Sequence, residues 1–185
     1  MCGRYYIEIE DKDMQEIIAA VERNIQIRAG EIFPTNVVPV ISSGGKVSAM
    51  QWGFPHFSGK GQIINARSET ASVKPTFRHA MNNGRCLIPA SWYFEWQTNG
   101  TKKNKHQLTL PEKQIMYLAG LSRTDNDGTS RFVILTRPAW TGIANIHDRM
   151  PVILPNQIHD EWLHGLDSEK AMERAIDAVS AQPVH

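Results

Sequence analysis

The sequence predicts an α+β fold, an antiparallel β-sheet or barrel-like core with flanking helices. Three observations lead there. The centre of the chain is a succession of strand-like runs at 85–89, 92–97, 107–110, 115–122 and 131–136, separated by the turn residues Asn99-Gly100, Pro111-Glu112 and Asn126-Asp127-Gly128. No helix-length segment lies between these runs, so an antiparallel meander or barrel fits better than a parallel βαβ sheet. Amphipathic segments lie before and after this centre, which places helices around the sheet rather than between its strands.

The remaining elements follow in order along the chain. Residues 4–9 alternate and read as a strand. A helix follows, with Asp11 as N-cap and with Met14, Ile17, Ile18 and Val21 at i, i+3, i+4 and i+7 forming one apolar stripe. After Gly30, residues 37–41 and 47–52 read as the two strands of a hairpin across the turn 42–45. Residues 65–69 form a polar segment between apolar neighbours. The spacing predicts a short helix over 76–83, opened by Thr76 and closed near Asn83-Gly84. Residues 156–164 and 168–179 have amphipathic spacing, and the tail after Ala181 is expected to fray.

A chain of 185 residues with 41% hydrophobic content supports one domain, expected over 2–180. No run of about 18 apolar residues is present, and the acidic start Glu8, Glu10, Asp11 is unlike a secretory signal, so a cytoplasmic location and no membrane partner are expected. With only Cys2 and Cys86 there is no disulfide framework and no zinc-like Cys/His spacing; no metal or cofactor is expected. Cys86, inside the apolar run Cys86-Leu87-Ile88, reads as a buried structural thiol. A net charge of +1 lacks the broad basic field of a sequence-independent DNA binder. A DNA site would have to be local, drawn by folding from Arg4, Arg67, Arg78, Arg85, Arg137 and Arg149, which otherwise read as solvated surface residues.

Four residues stand out chemically. Cys2 follows Met1 directly, and removal of the methionine would give one residue both a thiol of pKa about 8.5 and an α-amine of pKa about 8. Such a 1,2-aminothiol condenses with an aldehyde through nitrogen and closes a thiazolidine ring through sulfur; otherwise Cys2 is a small residue opening a strand. Glu95, within Trp92-Tyr93-Phe94-Glu95-Trp96, becomes a general acid or base near neutral pH if it points inward, and is the polar phase of a strand if it points outward. Asn65, after Ile63-Ile64, can hold a reacting group by hydrogen bonds or cap a turn. His147, before Asp148-Arg149-Met150-Pro151, suits proton transfer or is structural. The cluster Lys102-Lys103-Asn104-Lys105 beside the Asn99-Gly100 turn reads as a solvated hairpin tip.

Taken together, Met1-Cys2-Gly3-Arg4, Trp52-Gly53, Ile64-Asn65-Ala66-Arg67-Ser68-Glu69-Thr70, Arg85-Cys86-Leu87-Ile88-Pro89-Ala90, Phe94-Glu95-Trp96, Ile134-Leu135-Thr136 and the run from Ile146 to Leu154 resemble, in order, the SOS response-associated peptidase (SRAP) family of abasic-site processing proteins. The resemblance spans residues 2 to about 163. It implies an SRAP-like fold and covalent capture of abasic sites in single-stranded DNA as a thiazolidine on Cys2, shielding the lesion in the DNA damage response. It further implies that Glu95 shuttles protons, His147 acts as acid/base at the sugar oxygen and Asn65 orients the Cys2 amine. Arg4, Arg67 and Arg149 look like phosphate ligands, Thr136 belongs to the same DNA-contacting set, and Trp52 would stack on bases. The implied partner is single-stranded DNA carrying abasic sites, met by a monomer that is nucleoid-associated when bound. Peptidase and lyase activities accompany the family, although little self-processing is needed where only Met1 precedes Cys2. Two segments depart from the family pattern: Glu31 replaces a common asparagine and Phe33 a small residue, and Trp92 replaces a common glycine.

Two other classes fit parts of the pattern. A glutamine amidotransferase or other amino-terminal-nucleophile hydrolase can also begin Met-Cys-Gly, but Arg4 and the motif from His147 to Pro151 argue against it, and glutaminase activity would identify it. A non-catalytic single-stranded DNA-binding module would bind without crosslinking after Met1 removal.

Overall fold

The computed structural model describes residues 2–21 and 25–184. Its strands are β1 (Arg4–Ile7), β2 (Gly30–Ile32), β3 (Val37–Ile41), β4 (Val47–Trp52), β5 (Phe54–Pro55), β6 (Gln62–Ile63), β7 (Asn65–Arg67), β8 (Arg85–Ala90), β9 (Trp92–Asn99), β10 (Lys102–Thr109), β11 (Met116–Thr124), β12 (Ser130–Pro138), β13 (Arg149–Pro151) and β14 (Ser180–Pro183). Its α-helices are α1 (Lys12–Ala19), α2 (Ser68–Ala71), α3 (Pro75–Asn83), α4 (His159–Leu163) and α5 (Ser168–Arg174).

Two sheets hold the fold. The first runs β14-β10-β9-β1-β2 and is antiparallel throughout. In the second, β11-β8-β3-β4-β12 closes on itself because β11 also pairs β12, so five strands form a small barrel. β13 and β7 extend it from β12. The barrel strands β8, β11 and β12 are buried on both faces along most of their length, which is why they read as nearly continuous apolar runs. Along β12, Phe132 and Ile134 enter the apolar cluster shared with Cys2, Tyr5, Trp52 and Tyr93, whereas Val133 and Leu135 enter a second cluster with Phe77 and Trp162 under the helices. Period-two alternation thus serves two cores.

Local chemistry explains the element ends. The Asp11 carboxylate accepts from the Met14 amide, and Met14 and Val21 of the predicted stripe are buried. The helix after Ser72 begins at Pro75 rather than Thr76, since proline at the first turn lacks only a donor the helix does not use and holds Lys74 extended. It ends at Gly84, as expected.

Several expectations are corrected. The first strand stops at Ile7 rather than residue 9. The polar segment 65–69 is strand β7 followed by the start of α2. Lys102–Lys105 lie at the solvent-exposed end of the β9–β10 hairpin, as expected, and are already part of strand β10. The tail is paired rather than frayed: β14 adds to the open edge of β10. The pairing is not wholly antiparallel, because β12 runs parallel to both β4 and β7.

Candidate functional site

Cys2 lies just before β1 and is fully buried, its thiol 3.9 Å from the Arg4 carbonyl. Burial pushes its thiol well above the ordinary cysteine range, and the nearby Glu95 charge adds to the rise. Glu95 sits on β9 and is 3% exposed, so it points inward. Burial raises its carboxyl, while the charge of His147 pulls it back down.

Asn65, the first residue of β7, reaches across from the barrel. Its Nδ2 donates to the Cys2 carbonyl at 2.9 Å, and its Oδ1 is buried without a hydrogen-bond partner among the described residues. His147 lies in the connection between β12 and β13, which Gln97 of β9 ties down by donating to the Asn145 carbonyl at 3.1 Å. The Arg149 amide donates to His147 Nδ1 at 3.0 Å, which places the proton of the neutral ring on Nε2. The Asp148 carboxylate, 2.9 Å from the same Nδ1, suits a ring that carries a proton there, as the imidazolium does, and is largely exposed. Arg4, Glu95, Trp96, Thr98, Lys103 and His147 line one open cleft of about 440 Å³.

The arginines divide by their partners. Arg149 grips Glu69 with two nitrogens at 2.5 and 3.0 Å and also donates to the Thr136 carbonyl at 2.6 Å. Arg4 pairs with Glu31 at 2.8 Å, and Arg67 is exposed on β7. Arg78 is exposed on α3. Arg85 lies over Trp162 and donates to the Met81 carbonyl, and Arg137 donates to the Met172 carbonyl and pairs with Asp177; both are committed to packing the C-terminal segment.

Two expected DNA contacts are corrected. Trp52 is fully buried between Tyr5 and Phe132, with its indole N–H donating to the Ile64 carbonyl at 3.0 Å, so no ring face is left for a base. Phe57, in the turn between β5 and β6, is by contrast 91% exposed. Thr136 is also fully buried: its hydroxyl accepts from Arg149 at 3.2 Å and donates to the Ala66 carbonyl at 3.5 Å, so it positions Arg149. Trp92 needs no glycine-like backbone here; it stacks on Tyr6 with ring centroids 4.3 Å apart. Cys86 is buried as expected, its thiol pushed up to about 12.

Sequence reasoning missed Tyr5 and Tyr93. These residues face each other across β1 and β9, and both hydroxyls are buried without hydrogen-bond partners among the described residues. Burial, then the proximity of Cys2, raises both phenols. The period-two relation of Tyr93 to Glu95 was the available signal.

A small closed barrel with Cys2, Asn65 and Glu95 gathered beside it narrows the class of protein, and comparison with known proteins supplies the family. A profile described as "SOS response associated peptidase (SRAP)" matches residues 1–185, and the chain belongs to that family. It is 30% identical over 180 residues to the abasic site processing protein YedK of Escherichia coli, covering 88% of this chain and 79% of that one. To the abasic site processing protein YoqW of Bacillus subtilis it is 32% identical over 186 residues, covering 89% and 80%. Among solved structures, a Bordetella bronchiseptica protein superposes with a TM-score of 0.80 at 23% identity over the whole of both chains. A phage-related protein from the same organism gives 0.75 at 25% identity, covering 99% of this chain and 94% of that one. Among the described residues no group of His, Cys, Asp and Glu could hold a metal, and no helix is long and apolar enough to cross a membrane.

Proposed function

We propose that this protein processes abasic sites in single-stranded DNA by forming a thiazolidine between Cys2, freed of Met1, and the ring-opened deoxyribose. The observation that carries the reading is the junction at Cys2: its carbonyl is held by the buried amide of Asn65, while its thiol lies within the electrostatic reach of buried Glu95. His147, as the imidazolium, donates its Nε2 proton to the sugar ring oxygen while Glu95 takes the C1′ hydroxyl proton, so the bond from C1′ to the ring oxygen breaks and the aldehyde forms. The Cys2 amine adds to C1′, Glu95 moves protons between nitrogen and the departing hydroxyl, and water leaves with formation of the imine. The sulfur then bonds to C1′, the C=N electron pair returns to nitrogen, and the thiol proton goes with it. The net change is loss of one water.

Asn65 supports this sequence because its unsatisfied Oδ1 can accept from the Cys2 amine once that amine is free. Arg4, Arg67 and Arg149 would receive phosphates, which suits guanidinium geometry. The protein is read as a cytoplasmic monomer, a single domain over 2–180 that joins the nucleoid when bound. The test is intact mass before and after incubation with a single-stranded oligonucleotide carrying one abasic site. Protein lacking Met1 should gain the strand's mass minus one water, and Cys2→Ala should gain nothing. No adduct on protein shown to lack Met1 overturns the covalent reading.

A further inference from the structure

We infer that Arg4 and Lys105 form a two-cation site for a phosphodiester, and that Glu31 closes this site in the free protein as an exchangeable stand-in for the phosphate. The inference rests on the reading of a DNA substrate. A single oxygen, Glu31 Oε1, receives both Arg4 Nη1 at 2.8 Å and Lys105 Nζ at 2.7 Å. One anionic oxygen bridging a guanidinium and an ammonium is also how a phosphate oxygen would sit between them. The site opens where it would be useful, since Arg4 lines the cleft that contains Glu95 and His147.

The two cations are held by more than the carboxylate. The Arg4 guanidinium lies 3.8 Å from the Phe33 ring centroid and 5.5 Å from that of Trp96. Lys105 Nζ lies 3.9 Å from the Phe94 centroid and 5.8 Å from Trp96. These aromatic faces keep both charges in place when Glu31 leaves. Departure is undemanding, because the three side chains are 31%, 29% and 24% exposed for Arg4, Glu31 and Lys105, and ion pairs so placed contribute little. Glu31 is also the middle residue of the three-residue edge strand β2, paired only to β1. Arg149 makes the contrast: its bonds to the Thr136 carbonyl and hydroxyl, besides Glu69, anchor it to β12.

Glu31 therefore sets how tightly the strand is held before chemistry. In the wild type a phosphodiester replaces an internal carboxylate, so fewer solution ions are released than the two cations would otherwise give. Glu31→Gln keeps the side chain's size and removes its charge. The probe is a single-stranded oligonucleotide carrying a tetrahydrofuran abasic analogue, which has no aldehyde and reports binding alone. Glu31→Gln should bind it about five- to tenfold more tightly at low salt, and the slope of log K against log salt should steepen by about 0.7. Glu31→Asp, which keeps the charge, should retain the wild-type slope, and Lys105→Gln should weaken binding about threefold. Wild type and Glu31→Gln binding with equal affinity and slope overturns the exchange while leaving DNA binding intact; absence of binding by every form overturns both. Thermal melts that match among the variants confirm that folded proteins are being compared.

Discussion

Glu95 shows how a single buried charge trades stability for chemistry. Burial lifts its carboxyl above the ordinary carboxylate range, with the charge of His147 pulling part of the way back. A carboxyl with a raised folded-state pKa binds more protons folded than unfolded, so its effect on stability turns unfavourable as pH rises through that window. The penalty is absent below the unfolded value and complete above the folded one. Glu95→Gln should therefore melt higher than wild type at pH 8 and match it at pH 4. Its adduct with an abasic oligonucleotide should form about a hundredfold more slowly, as expected when a positioned proton carrier is lost. A full crosslinking rate in Glu95→Gln would remove Glu95 from the chemistry. Equal melting at both pH values would mean that its burial carries no charge penalty.

At the level of elements, the barrel closes where β11 meets both β8 and β12, and Gly120 sits at that crossing. A Cβ there would lie 2.3 Å from Ile88 Cδ1, 2.9 Å from the Val133 carbonyl oxygen and 3.0 Å from Cys86 Sγ. The Ile88 methyl can rotate away, but the Val133 carbonyl is fixed by pairing. Gly120→Ala should lower stability by about 1–3 kcal/mol, read as a clear drop in Tm, without altering crosslinking at temperatures where it remains folded. An unchanged Tm would show that the barrel widens freely. The strands that make this closure were legible because each is five or more residues long and rich in apolar side chains, enough to show a pattern. β2, β5, β6, β7 and β13 were not, since two or three residues show no period. The parallel contacts of β12 were equally invisible, because β4 and β7 lie more than sixty residues away in the chain. The site divides in the same way. Cys2, Asn65, Glu95 and His147 were recognisable by type and neighbours, whereas Trp52 and Thr136 were misread because the direction in which a strand residue points depends on its partners. Glu31 and Lys105 meet only through β1, β2, β9 and β10, so sequence distance concealed them.

Across the whole molecule, the candidate site is a seam between two sheets. The antiparallel sheet supplies Arg4 and Glu95 from β1 and β9, and the barrel side supplies Asn65, Arg67 and Arg149 from β7 and β13. The hydrogen bond from Asn65 Nδ2 to the Cys2 carbonyl joins the two sides. A bond of this kind contributes about 1 kcal/mol net, small against the stability of a domain, so its removal should be felt as local opening rather than global unfolding. Removing Asn65 also deletes an acceptor that is buried without a donor, which offsets part of the loss. Asn65→Ala should thus lower Tm only slightly, yet hydrogen exchange at the start of β1 should speed up while β8 and β11 keep their protection. Adduct formation should fall about tenfold or more, because the Cys2 nitrogen and sulfur would no longer be held in one geometry. If exchange in β1 were unchanged while crosslinking fell, Asn65 would be acting on the sugar rather than holding Cys2. If both were unchanged, the seam would be held without it, by the packing of Tyr5 and Trp52 in the apolar cluster that the two sheets share.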